Sequence, residues 1–161
     1  MTVKDPEIYK MIEKIGEYYR SNINNRYLRP ALLRLELSSS DWEHIDNLTS
    51  ETEYKLIREY SFVELYERIL ALARFVSLVK KEVLPNLRTY SGSLKTSAMN
   101  EREKVLFNIA FSNLPSNLGV LSDLLNELYL KTIELDKSMH PSQKPDFERI
   151  SELKEIGSML V

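Results

Sequence analysis

One apolar stripe constrains this chain more than anything else in it. Tyr54, Ile57, Phe62, Leu65, Tyr66, Ile69, Leu72, Ala73, Val76, Val79 and Val83 recur at helical spacing. Pro85 follows, and the residue before a proline avoids helical angles. The spacing predicts a helix over about 52–84, about 50 Å long at 1.5 Å per residue. Such a helix has to be the spine of the fold. No segment alternates with period two, so nothing competes as a strand.

Shorter helices are expected around it. Asp5-Pro6-Glu7 supplies an N-cap, a first-turn proline and a first-turn acid for a helix over about 6–21. Ser21 to Ser39 is turn-rich, with a short helix around 31–36. Ser40-Asp41-Trp42-Glu43 has the form of a capping box. Asn100-Glu101-Arg102-Glu103 opens another helix, which Leu114-Pro115-Ser116 is expected to break or kink. A further helix over about 117–138 follows on Leu118, Leu121, Leu125 and Leu128. The predicted fold is all-α, a bundle of about five helices. Residues 1–140 form the bundle domain. Residues 141–161 form a linker and a short C-terminal helix on Phe147, Ile150, Leu153 and Ile156.

Composition excludes several chemistries. The chain has 161 residues, four glycines and no cysteine. That argues against glycine-rich phosphate loops and excludes thiol nucleophiles, iron–sulfur clusters and cysteine-based zinc sites. The start of the chain lacks the apolar core of a signal peptide. Its most apolar stretch, Ile69 to Val79, is too short and too charged to span a bilayer. A cytoplasmic protein with no membrane contact is expected. No cofactor, no metal and no small-molecule ligand are predicted.

Candidate catalytic groups are sparse. His44 and His140 are expected to be structural or surface residues, and Asp41-x-x-His44 is a single ligand-spaced pair where a di-metal bundle needs two. Glu51, Glu53, Glu59, Glu64 and Glu67 mostly fall off the stripe, pairing with Lys55, Arg58 and Arg68 on a solvated face. An enzymatic reading needs Arg68 and Arg74 turned inward around an anionic substrate.

Charge is informative locally. Arg20 to Arg34 holds four arginines and no acid, and Arg74 to Lys104 holds seven basic residues against three acidic ones. Arg20, Arg26, Arg29 and Arg34, with Lys80, Lys81 and Arg88, are the candidates for nucleic-acid contact. Tyr18, Tyr19, Tyr27 and Tyr90 lie beside them as stacking partners. Tyr and Arg are also enriched at protein interfaces. Tyr27, Leu28 and Leu32, or Phe147 and Ile150, are the candidates for an exposed interface patch.

The order of these elements resembles the helical domain of a GINS replication-complex subunit of archaeal type, over roughly residues 7–130. The resemblance runs through the basic, leucine-bearing segment Tyr18 to Leu37 and Ser40-Asp41-Trp42. It continues in the arginine-bearing helix from Glu64 to Val76 and in Asn100 to Phe107. The small β-domain that usually follows in such subunits has no counterpart after His140. The resemblance implies a non-catalytic adaptor that packs helix against helix and bridges the replicative helicase to its partners. The alternative is a small helical nucleic-acid-binding subunit, such as one in an RNA-guided defence complex.

Overall fold

The computed structural model describes residues 2–50, 59–89, 99–140 and 145–160. Helix α1 (Pro6–Tyr18) starts as its sequence dictates: Asp5 accepts the Glu7 amide at 2.9 Å, and Pro6 sits in the first turn. Ile8, Ile12 and Ile15 turn into the core, and the helix widens into a π-turn over Tyr19–Ile23. A single turn, α2 (Arg29–Leu32), follows.

Helix α3 (Ser39–Thr49) is capped by Ser38, whose oxygen accepts the Asp41 amide at 3.0 Å. The cap therefore falls two residues before the expected Ser40. Helices α1 and α3 meet at Gly16. A Cβ there would stand 2.9 Å from the Thr49 carbonyl oxygen. That carbonyl lies at the C-terminus of α3, where helical partners run out, and the Arg20 guanidinium donates to it.

Helix α4 (Phe62–Leu78) is the spine, but it does not start at residue 52. Ser61 and Glu64 form a reciprocal capping box, at 3.1 and 3.2 Å, that fixes the first turn. Glu59 and Tyr60 before it are not helical, and Tyr60 accepts the Val3 amide at 2.6 Å. The expected helical residues 52–58 lie outside the described residues, with Glu51, Glu53, Lys55 and Arg58. Downstream, α4 continues through a π-turn, Val79–Val83, and a 3-10 turn, Leu84–Asn86, that carries Pro85. Its apolar side chains are buried on nearly every side, from Phe62 and Leu65 to Phe75 and Val76. A helix apolar all round needs cover all round. It contacts α3 along one side and the elements introduced next along the others.

The longest helix is α5 (Glu101–Met139), 39 residues and about 58 Å. Asn100 caps it as expected, accepting the Glu103 amide at 2.8 Å. Pro115 lies inside it and does not break it. The two helices expected on either side of this proline are one. A mid-helix proline forfeits a hydrogen bond, but Phe111, Leu114, Leu118 and Leu121 are buried on one face that continues across it.

After Pro145 come α6 (Asp146–Arg149), a 3-10 turn (Ser151–Glu155) and α7 (Ile156–Met159), in place of one amphipathic helix. These turns pack on α4, and Leu153 and Ile156 belong to the same core as the bundle. The fold is all-α, with no strand among the described residues.

Gly16→Ala forces its new methyl against backbone that cannot swing aside. The expected cost is about 1–3 kcal/mol, measurable as a lower denaturation midpoint with an unchanged slope.

Candidate functional site

Three places in the fold carry candidate chemistry. The first is a buried carboxylate. Asp136 sits on the inward face of α5, below Leu125, Leu128 and Thr132, with no solvent exposure. A buried charge is tolerated only if partners replace its water, and four donors do so. Oδ2 accepts the Tyr66 hydroxyl at 2.7 Å and the Phe147 amide at 2.9 Å. Oδ1 accepts the Asp146 amide at 3.1 Å and His140 Nδ1 at 2.9 Å. That nitrogen also faces the Asp136 carbonyl at 3.0 Å. With two acceptors before it, Nδ1 carries a proton. The edge of the His140 ring meets Phe62 at 6.0 Å between centroids. One aspartate in the last turn of α5 thus ties the N-terminal part of α4 to the start of α6.

Asp136, His140 and Asp146 each place one potential ligand atom within 4.8 Å of the others. Both oxygens of Asp136 already receive two protein donors each. A cation would have to displace them, so the arrangement works as a structural clasp. His140, expected from the sequence to be a structural or surface histidine, is bonded to Asp136, a residue the sequence reading missed. Its signal was present: an aspartate continuing an aliphatic stripe, four residues before a histidine.

The second place is basic. Helix α2 packs against the π-turn Val79–Val83, so the segments bearing Arg29 and Arg34 and bearing Lys80 and Lys81 are neighbours. Arg29, Arg34, Lys81 and Arg88 are exposed, and Lys80 is half-buried. Arg29 Nε reaches Asn24 at 3.3 Å. Arg20 and Arg26 have roles elsewhere in the fold. Arg20 caps α3, as described, and Arg26 lies over the Tyr27 ring and 3.5 Å from Glu103. The aromatic partners are also spent. Tyr19 is buried edge-on to Phe75, and Tyr18 donates to Asn117 at 3.0 Å. Tyr90 lies outside the described residues.

The third is apolar. Leu28 and Leu32 are core residues, which removes them from any interface. Tyr27 is half-buried, edge-on to Phe107. Phe147 and Ile150 are half-buried as well. Phe147, Tyr129, Glu148, Leu153 and Lys154 line a cleft of about 350 Å³. Exposed apolar side chains cluster on the outward side of α5, where Val105, Leu106, Ile109, Val120 and Leu130 are all at least 40% exposed, and Leu33, Val63 and Met139 are exposed singly elsewhere.

Other candidates dissolve into local structure. Asp41 pairs with Arg74 at 3.0 Å, and His44 Nε2 faces Glu67 at 3.8 Å, so Asp41 and His44 do not converge. Arg68 is buried on α4, as the enzymatic reading required. It donates to the Glu64 carbonyl and lies over the Tyr60 ring, away from Arg74. No described cavity is lined by both. Among the described residues no helix is long and apolar enough to cross a membrane.

Comparison with known protein families, with curated proteins and with solved structures gives no match.

Asp136→Ala leaves the Tyr66 hydroxyl and two amides without an acceptor. A loss of about 3–5 kcal/mol is expected, with faster amide exchange concentrated in residues 145–160. Burial pushes the Tyr66 hydroxyl above its ordinary value of 10.0, and its bond to Asp136 adds to this. The unfolded chain therefore releases that proton first. The stability this group contributes is complete below about pH 10 and falls as pH rises toward the folded value. Tyr66→Phe is expected to flatten the alkaline limb of a stability–pH curve.

Proposed function

We propose that this protein is a non-catalytic adaptor subunit that docks on other protein through the outward face of α5. One observation carries the reading. There is no Asp, Glu, Lys or Arg between Lys104 and Asp123, although 29% of the chain is charged. Within that interval Val105, Leu106, Ile109 and Val120 are exposed on the side opposite the core. Depletion of charge at exposed apolar positions marks interface cores. The titratable groups support the same reading, since Asp136, Asp41 and Arg68 spend themselves on the fold.

A place in DNA replication, as a GINS-like bridge to the replicative helicase, is the finer form of this proposal. It rests on the order of elements over residues 7–130. Its test is recovery of helicase subunits with the tagged protein at moderate salt.

The double variant Leu106→Glu/Ile109→Glu is expected to abolish co-purification of partner chains. Its melting temperature should barely move, because exposed substitutions cost within about 0.5 kcal/mol. Unchanged partner recovery would overturn the reading.

A second reading has its own observation, the packing of α2 on Val79–Val83 that joins the two basic segments. In it, Arg29, Arg34, Lys80 and Lys81 hold a nucleic-acid backbone. Binding to a single-stranded oligonucleotide should then weaken steeply with salt, and Arg29→Ala/Lys81→Ala should reduce the slope by about two. No binding at about 50 mM salt removes this reading.

A further inference from the structure

We infer that the occupant of the outward α5 face is a second copy of this chain, its α5 antiparallel to the first about a two-fold axis beside Ser112 and Asn113. This rests on the reading of that face as a docking surface and names what docks there. Charge complementarity at the ends of an uncharged strip selects this occupant. On the outward side the exposed charges that flank the strip are Arg102 at one end and Asp123 at the other, while Glu101, beside Arg102, is paired with Lys104 at 3.5 Å. In a two-fold antiparallel pair, residues equidistant from the axis become neighbours. Counting outward from Ser112 and Asn113, Arg102 falls beside the copy's Asp123. A parallel pair would instead set Arg102 against Arg102 and Asp123 against Asp123, and like charges repel.

The apolar positions obey the same register. Val105 falls beside Val120 of the copy, so the exposed valines cover each other. Ile109 falls beside Ser116, a large residue against a small one. At the axis, Ser112 and Asn113 are small and exposed, which lets the helices approach to the short end of the usual 8–10 Å spacing. The charged residues of α5 beyond Asp123, namely Glu127, Lys131, Glu134, Asp136 and Lys137, extend past the overlap. An isologous contact of this kind closes as a dimer and does not propagate.

The chain has no cysteine, so a single introduced thiol reports on register without background. Asn113→Cys brings two copies of the same residue together across the axis at disulfide-compatible separation. Glu127→Cys, on the same outward side, has no such mate. Oxidation is expected to cross-link the first and not the second. In sedimentation of the full chain, the wild type should form dimers by about 100 µM. Arg102→Asp should weaken dimerisation at least about tenfold, and Arg102→Asp/Asp123→Arg should restore it.

A monomeric wild type overturns the inference, as does cross-linking at residue 127 in place of 113. A dimer that ignores the charge reversal and its repair overturns it too. If the wild type is monomeric yet the Leu106→Glu/Ile109→Glu variant sheds a different partner, docking through this face stands and self-pairing does not.

Discussion

A helix that is apolar on every side cannot stand alone, and α4 is such a helix. From Phe62 to Val76 its side chains are buried almost all round. Each large aliphatic so buried contributes about 1.5–3 kcal/mol, but only if something covers it. The remaining architecture is that cover. Helix α3 takes one side and α5 another, and the C-terminal turns close what is left. Short turns have little stability of their own, because helix nucleation is unfavourable. Segment 145–160 therefore needs a fastening, and Asp136 supplies it: a carboxylate fixed on the long helix receives the first two amides of α6.

This explains which features could be read from the sequence. The all-α class, the caps at Asp5 and Asn100 and the central place of the Ile69–Val79 region follow from local periodicity and capping chemistry, and the structure has them. The start of α4 was also legible in Ser61-Phe-Val-Glu64, yet the apolar stripe continues upstream and masks it. Pro115 misled for a different reason. Proline's local preference is real, but Phe111 and Leu118 bury on the same side of α5 and tertiary packing overrides it.

The candidate sites were less legible, because a residue's partners lie far away in sequence. Nothing near Leu28 or Leu32 says that they pack inside, and nothing near Arg20 says that it ends up on the carbonyl of Thr49. Tyr66 and Asp136 are 70 positions apart. Asp136 could have been suspected, since an acid on a buried stripe must find donors. Which donors it finds is decided only by how the C-terminal segment returns.

Helix α5 joins the buried clasp to the outward face. Its inward face ends in a carboxylate that accepts four hydrogen bonds, and its outward face carries a charge-free interval. Stability alone does not call for the second feature. An exposed helix face gains solubility and i, i+4 ion pairs from Lys and Glu, and α5 has such residues at Glu101 to Lys104 and again from Asp123 onward. Only Val105 to Ser122 lacks them. The inward half of that interval is explained by the core. The outward half, Val105, Leu106, Ile109 and Val120, gains apolar surroundings in the docking proposed above. A partner surface supplies such surroundings, and the opposite charges of Arg102 and Asp123 at its two ends fit a copy of the same helix running the other way.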